Sequence, residues 1–191
     1  MQASLARKLA AATFVASLFV GYGMHLPTAG ATTRSDTPTC EGLTATIVGT
    51  PGPDILVGTA HRDVIVGLGG RDTIRGLAGN DVLCGGDGND TIVGGSGNDD
   101  EFGQAGDDAI DGNGGSDDVS GGSGDDSLSG GSDDDSLSGG SGDDSLSGNG
   151  GDDSLEGNGG SDDLNGGEGI DDVSGGVGDN TEACDLVDTC N

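Results

Sequence analysis

The chain has 191 residues, 43 of them glycine, with no tryptophan and a formal net charge of −29. Only 4 prolines accompany the glycine, which excludes collagen, whose glycine at every third position comes with abundant proline. The 35 acidic residues against 6 basic ones exclude nucleic acid and anionic membrane as partners, since both are recognised through basic footprints.

The first predicted element is a signal peptide over residues 1–31. Arg7 and Lys8 form a short positive region, Leu9 to Val20 is almost wholly apolar, and Ala29-Gly30-Ala31 offers an A-x-A cleavage site. The apolar run is too short to span a membrane, and no later run is apolar enough. Cys40 stands well beyond the cleavage site, so no lipid-anchoring cysteine follows it directly. The expected product is secreted and extracellular, with no membrane insertion. Phe14, Phe19 and Tyr22 leave with the signal, and Phe102 is then the one aromatic remaining. The mature chain keeps Arg34, Arg62, Arg71 and Arg75 against 35 acidic residues. Repulsion on that scale opposes a compact state unless counter-ions relieve it, and composition alone would suit a disordered chain. The order of the residues argues otherwise.

Residues 32–48 are expected to form an N-terminal cap. They carry the first of four cysteines, Cys40, Cys84, Cys184 and Cys190. An even number in an exported chain suggests disulfides, with three pairings open, while a Cys₄ zinc site would want paired C-x₂₋₄-C spacings that do not occur. Cys184 and Cys190 enclose a short terminal loop and are expected to pair, leaving Cys40 with Cys84. That second link requires the N-terminal segment to fold back across the first turns, because strand stacking alone would hold those positions beyond disulfide reach.

From Gly49 glycine recurs every nine residues through Gly175, giving fifteen repeats over residues 49–183 without insertion or deletion. Position six is aspartate in the first fourteen: Asp54, Asp63, Asp72, Asp81, Asp90, Asp99, Asp108, Asp117, Asp126, Asp135, Asp144, Asp153, Asp162 and Asp171. Position eight is Leu, Ile or Val in thirteen of these, and position four is glycine except at His61 and Asp133. Residues around position eight are often Ser or Thr, as in Ser127-Leu128-Ser129. Strand alternation turns the aliphatic residue to one face and its neighbours to the other. A three-residue strand with one inward aliphatic side chain, stacked on its copies, builds a solenoid core. The six-residue link, such as Gly121 to Asp126, must turn tightly, and its glycines bring carbonyl oxygens near the carboxylate. Oxygens gathered around one point are what a hard cation such as Ca²⁺ requires.

These segments resemble the RTX (haemolysin-type) nonapeptide G-G-x-G-x-D-x-U-x, in which U is aliphatic. Gly121 to Ser129 and Gly139 to Ser147 fit every position. The resemblance implies an all-β parallel β-roll with two nonapeptides per turn and Ca²⁺ between loops stacked on one edge. Residues 18 apart would then be neighbours, with Asp54, Asp72, Asp90, Asp108, Asp126, Asp144 and Asp162 on one edge. Asp63, Asp81, Asp99, Asp117, Asp135, Asp153 and Asp171 would follow the other. Roughly 8–12 calcium ions are expected. The export signal and cysteines are similar to those of small secreted actinobacterial members of the family.

Three departures matter. The first two loops, Thr50 to Pro53 and Thr59 to Arg62, lack the second glycine and are expected to cap the array rather than bind strongly. Asn180 and Glu182 end the repeat, leaving residues 184–191 as a C-terminal cap. In Gly94 to Phe102 strict register places Glu101 inward, and an unpaired carboxylate among aliphatic side chains is costly. A one-residue shift is therefore expected there, burying Phe102, exposing Glu101 and letting Asp100 replace Asp99.

Thirteen aliphatic side chains are too few to order so long an array, so calcium ligation is expected to supply the folding free energy. No enzyme is expected. His61, the one histidine of the mature chain, sits in an early loop, and H-E-x-x-H, G-x-S-x-G and P-loop motifs are missing. Paired carboxylates such as Asp125-Asp126 recur in repeat after repeat, whereas a glycosidase pair would be singular. Calcium ions are the expected partners. The alternative reading is an adhesive or matrix protein that meets a cell-surface, glycan or mineral partner through an outward ladder of Ser127, Ser136, Ser145 and Ser154.

Overall fold

The computed structural model describes residues 37–178, 180–183 and 189–190. The expected signal peptide, Cys184 and the side chain of Cys190 lie outside the described residues, and with them the expected Cys184–Cys190 link.

A hairpin of β1 (Thr39–Cys40) and β2 (Leu43–Thr44) opens the fold, followed by β3 (Ile47–Val48) and β4 (Ile55–Val57). Twelve six-residue strands follow at nine-residue intervals. They are β5 (Val64–Gly69), β6 (Thr73–Ala78), β7 (Val82–Asp87), β8 (Thr91–Ser96), β9 (Asp100–Ala105), β10 (Ala109–Gly114), β11 (Asp118–Ser123), β12 (Ser127–Ser132), β13 (Ser136–Ser141), β14 (Ser145–Gly150), β15 (Ser154–Gly159) and β16 (Asp163–Glu168). Three short strands close the array: β17 (Asp172–Ser174), β18 (Thr181–Ala183) and β19 (Thr189–Cys190).

From β3 onward consecutive strands alternate between two parallel sheets, one of eight strands from β4 to β18 and one of nine from β3 to β19. Through the array each residue pairs with those 18 away, so that Ile92, Ile110, Leu128 and Leu146 form one rung line. This is the parallel β-roll, with two nonapeptides per turn. Only at the end does the spacing slip, where Asp172 pairs with Thr189.

The strands are twice the expected length. Each continues from positions seven to nine into positions one to three, and the ladder skips position one: Ile110 meets Leu128 and Asn113 meets Gly131, with Gly112 unpaired between them. A positive φ at position two bends the chain there, and a second at position four closes the turn. Glycine meets this demand most often, yet Leu68 (φ 82°), Leu77 (φ 84°), Asn113 (φ 75°) and Asn149 (φ 77°) adopt it at position two. Asparagine tolerates that region; leucine does so at a cost in strain.

Positions six, eight and one face inward. The core is a stack of Ile65, Ile74, Leu83, Ile92, Ile110, Val119, Leu128, Leu137, Leu146, Leu155, Leu164 and Val173, all buried. Alternation leaves positions seven and nine outward. The expected serine ladder is thus two ladders: Ser127 pairs with Ser145 in one sheet, and Ser136 with Ser154 in the other. Two repeats per turn send successive repeats to opposite faces.

A second cluster lies on the outer face of the nine-stranded sheet, where Val64, Val66, Val82 and Cys84 pack with Cys40, and Ala45 and Phe102 flank them. The β1–β2 hairpin turns on Glu41 and Gly42, both at positive φ. It folds over this face and brings Cys40 to Cys84 at a Cα separation of 5.9 Å, where they form a disulfide. That fold-back of the β1–β2 hairpin is what makes the link possible.

The expected shift at Gly94 to Phe102 does not occur. Glu101 pairs with Leu83 on one side and Val119 on the other, in strict register, and is fully buried. Phe102 points outward beside Cys84 and Ser120 and is half-buried against the second cluster. Asp100 is exposed, and Asp99 keeps its inward place. Two physical reasons account for this. A slip in β9 would break five paired positions on each flank, and the capped outer face already gives Phe102 an apolar surface.

Candidate metal centre

The strand-to-strand turn positions each aspartate at position six. Its Oδ1 accepts a hydrogen bond from the backbone N–H of the aspartate one turn earlier: Asp72 N–H to Asp90 Oδ1 at 2.8 Å, Asp90 to Asp108 at 2.7 Å, Asp108 to Asp126 at 2.8 Å. The second edge repeats the pattern from Asp63 to Asp81, Asp99, Asp117 and Asp135 at 2.7–2.9 Å. Each carboxylate thereby spans adjacent turns at the corner where the regular ladder breaks. The fourteen aspartates singled out by sequence form the two expected rows, with Asp144 and Asp162 continuing the first and Asp153 and Asp171 the second.

The other oxygen sets up the site. From Asp72 to Asp162 each Oδ2 is buried and meets no hydrogen-bond donor. It lies over the Cα of the position-one glycine of its own repeat, beside the carbonyl oxygen of the glycine one turn on. A Cβ at Gly103 would press on Asp108 Oδ2 and lie 2.7 Å from Gly121 O; at Gly157 it would press on Asp162 Oδ2 and lie 2.7 Å from Gly175 O. Position one must be glycine because two oxygens occupy the space a side chain would take. Carboxylate and carbonyl oxygens brought together in a dry corner suit a hard, oxygen-seeking cation of the Ca²⁺ type. Among the described residues no three His, Cys, Asp or Glu side chains converge on one point, so backbone carbonyls must complete any ion's shell.

The first two loops differ. Thr50 donates its N–H (2.6 Å) and its hydroxyl (2.9 Å) to Asp54 Oδ2, and Thr59 does the same for Asp63 Oδ2 at 2.7 and 2.9 Å. Threonine at position two thus supplies from within the chain what a cation would supply elsewhere. Arg62, in the second of these loops, turns its Nε to the carbonyl of Asn80 at 3.1 Å.

Electrostatics sharpens the contrast. Burial, with neighbouring carboxylates in and beside the row as a further cause, pushes the carboxyls of Asp99, Asp117 and Asp126 up to about 6 and those of Asp108 and Asp135 up to about 7. Asp81, Asp90, Asp144 and Asp153 shift upward too, again chiefly through burial. The hydrogen bond from the preceding turn opposes the shift without cancelling it. A row of buried carboxylates this close is held apart from its ionised form, and bound cations would relieve it.

Comparison with known families now decides the kinship. The RTX calcium-binding nonapeptide repeat matches in overlapping copies at residues 45–74, 66–101, 93–128, 111–146, 120–155, 129–164, 138–173 and 147–181. The chain belongs to this RTX family. It is a calcium-binding repeat protein built as a β-roll. No curated protein matches it as a relative.

One ladder of this RTX chain escaped the sequence reading. At position five, Asp107 Oδ1 accepts the N–H of Asp125 (3.2 Å), Asp125 that of Asp143 (2.9 Å) and Asp143 that of Ser161 (2.9 Å). On the other edge Asp134 serves Asp152 and Asp152 serves Ile170, each at 2.9 Å. These exposed side chains staple successive turns. The Asp-Asp dipeptides carried the signal, but only the structure separates an inward position six from an outward position five.

Proposed function

We infer that this is a secreted protein whose β-roll forms as Ca²⁺ fills the two rows, with Asp72, Asp81, Asp90, Asp99, Asp108, Asp117, Asp126, Asp135, Asp144, Asp153 and Asp162 as carboxylate ligands and roughly 8–12 ions in all. Asp54 and Asp63 serve the cap instead. The observation that carries this reading is the contrast within the rows: Oδ2 is bare from Asp72 to Asp162 and satisfied by threonine at Asp54 and Asp63. Ligation free energy becomes folding free energy where no site exists in the unfolded chain, and millimolar extracellular calcium suits weak individual sites. Family membership supports a binding role rather than a catalytic one. Calorimetric titration with CaCl₂ should give a stoichiometry within roughly 8–12. Saturation by one or two ions would defeat the row assignment.

A further inference from the structure

The repeat Gly94 to Phe102 departs from its neighbours in one respect that the row sites do not explain. Where every other array repeat before Asn180 puts an aliphatic side chain at position eight, Glu101 enters the core between Leu83 and Val119. It is fully buried, and both its carboxylate oxygens lack a hydrogen-bond partner. An unaccompanied charge is rarely left in such a place.

Its direction matters as much as its burial. At Gly94 a Cβ would press on Glu101 Oε1, lie 2.6 Å from Asp99 Oδ2, and lie 3.1 Å from the carbonyl oxygen of Gly112. Other row sites, such as Gly103 with Asp108 and Gly121, gather one carboxylate oxygen and one carbonyl. Here a second carboxylate reaches the same point from the opposite sheet. Glu101 is one methylene longer than aspartate, and from position eight it crosses the narrow interior to position one of β8.

The geometry points to an interior cation site, distinct in composition from the rows, formed by the carboxylates of Glu101 and Asp99 with the carbonyl of Gly112. Its ligand class is a bare, hard divalent cation of Ca²⁺ size. A magnesium ion gives up its water reluctantly and suits this dry corner poorly. Two carboxylates in place of one raise ligand charge, and affinity for Ca²⁺ rises with ligand charge and rigidity. This site therefore fills first and empties last. It also joins the two sheets, since β8 and β10 belong to one and β9 to the other. The proposal rests on the reading of Asp99 as a row ligand, and the test separates the two.

The full chain is saturated with CaCl₂, then dialysed against calcium buffered at ~1 µM free, well below the range of weak extracellular sites, and the retained calcium is counted by elemental analysis. The wild type should keep about one ion per chain. Glu101→Leu restores the aliphatic residue of its neighbours, so folding in millimolar calcium is preserved. It should keep none, while its total at saturation falls by no more than about one ion. Glu101→Gln, which keeps the shape and removes the charge, should lose the ion too. If Glu101→Leu retains the same tightly held ion, or if neither protein holds one while both fill their rows, the site is overturned. Glu101 then carries a proton in the core. If the rows stay empty at millimolar calcium but one Glu101-dependent ion remains, the row assignment fails and this site stands.

Discussion

Asp126 tests both halves of the row geometry at once. Its Oδ1 accepts the Asp108 N–H at 2.8 Å, and its Oδ2 is bare. Asp126→Asn keeps the first contact and replaces the second oxygen with an amide donor that repels a cation. Asp126→Ala removes both. In ~10 mM CaCl₂, an ion with a dissociation constant near 10⁻⁴ M contributes about 2.7 kcal/mol to the folded state, and Asn should forfeit roughly that amount. Alanine should lose about 1–3 kcal/mol more, because the buried Asp108 N–H is left without an acceptor. Urea unfolding followed by far-ultraviolet circular dichroism reads both steps. Asparagine matching the wild type in calcium would show that Oδ2 holds no ion. Alanine matching asparagine would show that the turn-to-turn hydrogen bond contributes nothing.

Three further outcomes are expected. Thr59→Gly removes the hydroxyl donor from Asp63 Oδ2, leaving only the backbone N–H, and should add about one calcium ion by titration; an unchanged count would mean that the threonine hydroxyl does not stand in for the ion. Carboxyls raised to about 6 and about 7 bind protons more tightly in the folded roll than unfolded. Their contribution is therefore fully present below about pH 4 and lost as pH rises through 7. In chelator the chain should show more β-structure by circular dichroism at pH 4 than at pH 7.5, and calcium binding at pH 6 should release protons in calorimetry across buffers of different ionisation enthalpy. Cys84→Ser opens a link spanning 44 residues and should cost about 4 kcal/mol in calcium on the loop-entropy estimate; urea unfolding indistinguishable from wild type would show that the hairpin cap adds no stability.

Three constant positions made much of this protein legible. Position eight marked the core stack, since Leu128 and its equivalents alternate with Ser127 and Ser129 as a half-buried strand must. Position six marked the carboxylate rows, but what sets the first two loops apart is threonine at position two, since Leu68 and Leu77 also lack the glycine and leave Asp72 and Asp81 Oδ2 bare. The pairing of residues 18 apart came from family resemblance, because a nine-residue period alone does not say how many repeats close a turn. The single serine ladder expected of Ser127, Ser136, Ser145 and Ser154 did not follow from that pairing, which puts residues nine apart in opposite sheets. Strand length was underestimated because a positive φ at position two bends the chain without ending it, and Leu68 and Leu77 carry no sign of that conformation. Glu101 was expected outside on the energy of a lone buried carboxylate. The rigid pairing of β9 with β7 and β11 outweighed that local preference, and the hairpin gave Phe102 a covered outer surface that no local pattern reveals.

The dependence of the fold on calcium is tested most directly by one paired measurement. Far-ultraviolet circular dichroism and hydrodynamic radius are followed on the same sample at pH 7.5 as CaCl₂ replaces chelator. The rows of uncompensated carboxylates require an expanded chain without β-structure in chelator, which becomes compact and β-rich together in millimolar calcium, with magnesium a poor substitute. A β-spectrum and compact radius already present in chelator, unchanged across the titration, would contradict the account.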